Sequence, residues 1–150
     1  MKSSTHATAL PSRPNHSRTS LRLHASQIEF LECFCAKVRR DSGRFLGTAA
    51  VVDTLVAVLP AARILSRSSQ SEPDTRDDPL RTFPVQLRNE SLATLKMLSA
   101  AIGRETGAVM TMSAIARPLV DWFAGVEIDT SAIGSLEDLE ALLRRLSSDE

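Results

Sequence analysis

Apolar and polar positions run in the same order through residues 19–60 and residues 83–124, at a constant offset of 64 and without a gap. Leu21 corresponds to Val85, Leu23 to Leu87, Ile28 to Leu92, Leu31 to Leu95, Phe34 to Leu98 and Val38 to Ile102. The match continues through Ala50 and Ala114, Val51 and Ile115, Leu55 and Leu119, and Leu59 and Phe123. Between the two longer stretches of each copy, Arg40-Asp41-Ser42-Gly43 answers Arg104-Glu105-Thr106-Gly107. Only eight of the 42 aligned positions are identical, so the pattern rather than the letters carries the repeat. Two copies are too few for a solenoid. They read as a pair of units that share one core.

Within each copy the period changes. Thr19-Ser20-Leu21-Arg22-Leu23 alternates as a half-buried strand does, and Phe83-Pro84-Val85-Gln86-Leu87 is its counterpart. Residues 26–40 then place Ile28, Leu31, Phe34, Cys35 and Val38 at helical spacing, and Gly43 ends that helix. A second helix is predicted over residues 48–59, stopped by Pro60. The second copy predicts helices over 90–103 and 112–123. Pro118 falls inside the latter, where it costs a hydrogen bond and bends the axis.

Three segments lie outside the repeat. Residues 1–17, rich in Ser, Thr, Pro and His, read as a disordered basic arm. Residues 61–80 are polar and hold Pro73 and Pro79, which predicts a mobile linker. In the tail, 125–150, Ser135 with Asp138 resembles a capping box. Leu136, Leu139, Leu142, Leu143 and Leu146 form one stripe on a helix predicted over 135–147, with Arg144 and Arg145 complementing its dipole. The two copies themselves are bounded at 18–60 and 81–124.

A single strand leaves its ladder groups unpaired. If the two strands pair antiparallel, the fold class is mostly α: two short strands over four helices, plus a C-terminal helix. Leu21, Leu23, Val85 and Leu87 then face the helices. Arg18, Ser20, Arg22, Thr82, Pro84 and Gln86 form an outward row. A two-stranded ribbon fits the DNA major groove, where Arg pairs with guanine and Gln with adenine.

The order strand, helix, Gly-turn, helix resembles the ribbon-helix-helix DNA-binding family, in which two chains usually pair to make one ribbon. Both halves are on one chain here, so the protein looks like a single-chain pseudo-dimer, monomeric in solution. The resemblance covers residues 18–60 and 82–124. It implies that Arg18, Ser20, Arg22, Thr82 and Gln86 read bases. It also implies that the starts of the second helices hold phosphates, through Gly47, Thr48 and Ala49 in copy one and Thr111, Met112 and Ser113 in copy two. Unpaired amides and the positive dipole end are the physical reason. His24 and Arg88 flank the phosphates in the same reading, and Arg44 adds a contact that Ala108 cannot. Three departures stand out: Pro84 has no N–H for a ladder, the turn after each glycine is one residue longer than the common pattern, and the two reading rows differ, Arg18/Ser20/Arg22 against Thr82/Pro84/Gln86, which implies an asymmetric DNA site. Tandem chains of this kind are similar to accessory proteins of DNA transfer, both T-DNA-processing virulence proteins and relaxosome proteins of conjugative plasmids. The implied partners are double-stranded DNA and a relaxase or partition-type ATPase. A transcriptional repressor of the same fold and a helical protein-interaction module without DNA binding are the alternatives.

Charge and composition bear on that choice. Net charge is zero, yet residues 1–70 carry ten Lys/Arg against four Asp/Glu, and residues 71–150 carry eight against fourteen. The front half is therefore the anion-facing one. Arginine outnumbers lysine fifteen to three, which suits bidentate recognition of phosphate or guanine and is equally what a GC-rich genome produces. Cys33 and Cys35, two apart on a helix, suit neither a disulfide nor a zinc site, and read as reduced structural thiols in a cytoplasm. No apolar run is long enough to cross a membrane, so no membrane partner is expected. The set of residues needed for a phosphate loop, a nucleophile elbow or a metal site is missing, so neither an enzyme nor a cofactor is expected. Tyrosine is absent, which excludes a tyrosine nucleophile.

Overall fold

The computed structural model describes residues 15–68, 77–107 and 110–148. Its elements are β1 (His16–His24), α1 (Ala25–Ser42), α2 (Thr48–Val58), α3 (Ala61–Ser68), β2 (Leu80–Arg88), α4 (Asn89–Thr106), α5 (Met112–Ala124), a short 3-10 turn (Thr130–Ala132) and α6 (Leu136–Ser148). The result is a mostly helical fold with one two-stranded antiparallel sheet.

The strands are nine residues each, longer than the alternation alone predicts. Their register pairs Arg18 with Gln86, Ser20 with Pro84 and Arg22 with Thr82. Ser20 and Pro84 are also the residues that correspond across the 64-residue offset, so a pseudo-two-fold axis passes between them. Backbone bonds beyond the strand ends repeat about this axis. Ala25 N–H donates to Pro79 O at 2.9 Å, and its counterpart Asn89 N–H donates to Asn15 O at 2.8 Å.

Pro84 costs the ladder nothing. Arg22, of the same parity, bonds through its N–H to Ser113 Oγ and through its carbonyl to Arg117 Nη1, not to β2. Backbone groups alternate between facing the partner strand and facing away. The nitrogen of Pro84, two residues along from the partner of Arg22, therefore lies on the outer edge, where a proline is tolerated.

Each helix pair is built alike. Residues 43 and 107 are glycines at φ 74° and 73°, and their N–H groups donate to Arg39 O and Gly103 O. This left-handed position ends the helix and is open to glycine at no steric cost. The core then joins the copies crosswise: β1 lies against α5 of the second copy, and β2 against α2 of the first. Leu21, Leu23, Val85 and Leu87 are buried as the alternation predicts, joined by Phe83. Phe123 on α5 meets Phe34 on α1 edge to face, with centroids 4.8 Å apart, and Phe30 at 5.6 Å. Such contacts add to the area that the rings bury.

The segment outside the repeat differs from its sequence reading in two places. Residues 61–68, expected within a mobile linker, form α3, because Ala61, Ile64 and Leu65 make an apolar face that is buried against α5. Pro60, which ends α2, also starts α3 by accepting the N–H groups of Arg63 and Ile64. Residues 15–17, expected to belong to the arm or its boundary, are a turn and the start of β1, since Asn15 O and Ser17 Oγ both bond Asn89. The remainder of the arm and residues 69–76 of the linker lie outside the described residues. The leucine stripe of α6 packs inward on α2, burying Leu139 and Leu143. Trp122 is half-buried against the same core. Among the described residues no helix is long and apolar enough to cross a membrane.

Among the described residues, chain neighbours aside, no atom lies within 4 Å of a Cβ added at Gly43 or Gly107, so the cost of Gly43→Ala or Gly107→Ala is conformational. Each is expected to lose about 1 kcal/mol, by the left-handed penalty of an L-residue. Equal losses for the two, measured by urea unfolding, are the expected signature of the repeat.

Candidate nucleic-acid interface

The outer face of the ribbon is the candidate surface. Arg18, Ser20, Arg22, Thr82 and Pro84 are exposed there, and Gln86 is half-buried. The register groups them into two ends around the axis: Arg22 beside Thr82, and Arg18 beside Gln86. All five residues expected to read bases therefore lie on one surface row. The ends are not equivalent. Arg22 Nη2 reaches Leu80 O at 3.4 Å. The amide oxygen of Gln86 is buried and has no hydrogen-bond partner.

The backbone under Arg22 is clamped by α5. Ser113 Oγ accepts the Arg22 N–H at 2.8 Å, and Arg117 Nη1 donates to the Arg22 carbonyl at 2.9 Å. Arg117 is tied in turn through its own carbonyl, which accepts Gln27 Nε2, while the same nitrogen donates to Asp121 at 2.9 Å. Gln27 also caps α1, its Oε1 accepting the His24 N–H at 2.9 Å. This chain of bonds runs from α1 through α5 to one end of the ribbon.

The second copy meets the same need differently. Ser91 stands where copy one has Gln27 and cannot reach back to the strand; its buried hydroxyl has no partner. Asp53 of α2 supplies the acceptor instead, taking the Arg88 N–H at 2.8 Å and the Arg88 Nε at 3.0 Å. Arg88 bridges onward to Glu140 of α6 at 3.4 Å, and Glu140 binds Arg144 at 2.8 Å. The Arg144 hydrogen bond, with the charge of Arg88 behind it, holds the Glu140 carboxyl below its ordinary range. Sequence reasoning did not find Gln27, Asp53 or Arg117. The one available signal was that Asp53 and Arg117 occupy corresponding positions with opposite charge.

The residues expected at phosphates fall into two groups. Gly47 is the N-cap of α2, with Thr48 its first residue, and α2 carries no side-chain cap. Thr111 caps α5, its Oγ1 accepting the Ala114 N–H at 3.1 Å. Arg44 is exposed in the turn before α2. An open pocket of about 330 Å³ adjoins that turn, lined by Glu32, Cys35, Arg39, Phe45, Gly47 and Thr48 among others. Three other residues depart from the expectation. Ser113 spends its hydroxyl on the ribbon backbone. Arg88 is engaged by two carboxylates. His24 is 8% exposed with Nδ1 against Asp78 O, because capping α1 draws it into the fold.

Comparison with family models, with curated proteins and with solved structures gives no match to this chain.

The two cysteines are unpaired, and they differ in accessibility. Cys33 is exposed, while burial pushes the Cys35 thiol up to about 11. At pH 8 iodoacetamide is expected to alkylate Cys33 first and Cys35 only slowly, since the thiolate is the nucleophile; mass mapping of the peptides checks this.

Removing one partner of a buried pair leaves the other charge unpaired. Asp53 is 5% exposed, so Arg88→Ala is expected to cost about 3 kcal/mol in urea unfolding. Glu140 has a depressed pKa, so its share of stability is present above the ordinary value of 4.5 and is lost as pH falls through the lowered one. Glu140→Gln is therefore expected to flatten the acid side of the stability profile.

Proposed function

We propose that this protein binds double-stranded DNA sequence-specifically, laying its two-stranded ribbon in the major groove in the manner of the ribbon-helix-helix family. One observation carries the reading: a two-fold ribbon whose outer row, Arg18 to Arg22 and Thr82 to Gln86, is polar except for Pro84, with an exposed arginine at each end and a buried apolar row beneath. The width of such a ribbon matches the groove, and Arg and Gln are the side chains that grip purine edges there. The starts of α2 and α5 supply backbone N–H groups of the kind that hold phosphates and so fix register. Both halves belong to one chain, so the reader is complete in a monomer.

Among roles for such a reader, we favour an accessory factor for DNA transfer, acting beside a relaxase or partition-type ATPase. The single-chain architecture supports this choice by analogy with tandem proteins of that class. A repressor of the same fold makes the same contacts with DNA, and the location of the binding site separates the two: beside a nicking origin for the first, over a promoter for the second.

Fluorescence anisotropy against a duplex of selected sequence and a scrambled duplex tests the binding itself. Affinity is expected to fall steeply with salt, because phosphate contacts release counterions. Arg22→Ala is expected to lose about 1–3 kcal/mol on the selected duplex and little on the scrambled one. Equal weakening on both would assign Arg22 to the phosphate backbone. No salt-sensitive binding to either duplex would overturn the proposal and favour a protein-interaction module.

A further inference from the structure

The axis through Ser20 and Pro84 gives every outward residue a counterpart: Arg18 with Thr82, Ser20 with Pro84, and Arg22 with Gln86. In a symmetric pair of identical chains these would be the same residue twice, and the preferred DNA site would repeat as a palindrome. Here all three pairs differ. We propose that the duplex this ribbon reads is non-palindromic and is bound in a single orientation. The proposal rests on the DNA-binding reading above.

Three independent features make the halves unequal. The first is side-chain chemistry. One end of the ribbon presents Arg22 with Thr82, a guanine reader beside a hydroxyl that tolerates several bases. The other presents Arg18, again a guanine reader, with Gln86, half-buried and with its amide oxygen turned inward. The second is support. Ser113 and Arg117 clamp the backbone of Arg22 on both its N–H and its carbonyl. Their counterparts, Ala49 and Asp53, cannot do this for Gln86: alanine has no hydroxyl, and Asp53 is turned to Arg88. A reader held by its backbone loses less freedom on binding than one that is not. The third is the flank. Thr111 takes up an amide of α5 with its own side chain, while α2 starts at Gly47 with no side-chain cap and with Arg44 close by in sequence. The start of α2 thus leaves its first-turn amides without a side-chain partner, where α5 does not.

These differences act in concert, because each half carries its own set. The half reading through Arg22 is the rigid one. Turning the protein end for end on a site would put Gln86 where Arg22 had been, and would exchange the two phosphate flanks. A protein of this kind marks direction along a duplex as well as position.

Selection of binding sequences from random duplex DNA with the full chain tests the proposal. The expected result is an enriched motif that is not self-complementary. Palindromes built by duplicating either half of that motif are expected to bind about tenfold more weakly or worse, since each mismatched base pair costs on that order. The variant Thr82→Arg/Gln86→Arg, which restores Arg at both corresponding positions, is expected to select a more nearly self-complementary site. A self-complementary motif from the wild-type chain would overturn the single orientation while leaving DNA binding intact. Salt-sensitive retention of all sequences alike would overturn both orientation and base reading. No retention at low salt would overturn the DNA-binding reading itself.

Discussion

Everything else in this fold depends on the pairing of β1 with β2. Among the described residues each is a lone strand in its own half of the sequence, and neither has another strand to satisfy its ladder. Backbone groups buried without partners are costly enough that the two must meet. Once they meet in this register, the axis falls between Ser20 and Pro84 and the four repeat helices are fixed by it. The inner row of the ribbon is buried on the helices, and the crossing of each strand onto the other copy's second helix makes the two copies one core. The ribbon is both the keystone of packing and a regular surface whose outer face is polar apart from Pro84.

Near-symmetry is not symmetry, and the exceptions are informative. The bond from residue 25 to residue 79 and the bond from residue 89 to residue 15 are faithful copies of each other. So are the glycines that end α1 and α4. The strand-to-helix junctions are not. Copy one closes its junction with Gln27, the third residue of its own helix; copy two closes its junction with Asp53, reached from α2 of the first copy. That second solution brings a charge into the core and balances it with Arg88, which then ties in α6 through Glu140. An interior carboxylate needs such pairing. The C-terminal helix, outside the repeat, is thereby joined to a junction within it.

A chain that carries both halves of a ribbon is free to let them diverge. A residue altered in one half leaves the other unchanged, whereas in a pair of identical chains every change appears twice. The differing pairs at the outer row, and the Ser113 and Arg117 clamp found on one side alone, are what that freedom permits.

Local patterning was enough to define much of the molecule. Alternation at Leu21 and Leu23 and at Val85 and Leu87 located both strands and their buried faces, because side chains of a strand alternate whatever it pairs with. Helical spacing and Gly43 and Gly107 located the four repeat helices to within three residues, since both signals are properties of the local backbone. The outward row followed from the same parity. Tertiary structure alone decided the register, the crosswise packing, α3, and the fates of His24, Arg88 and Ser113. Those residues carry side chains that suit phosphate equally well, and nothing in their spacing says which partner they find. The choice is made where distant segments meet: a carboxylate of α2 reaches Arg88 at a separation of 35 residues, and Ser113 reaches Arg22 at 91. Interactions of that range depend on the assembled core, and a sequence read along its length contains them only after the strands have been paired.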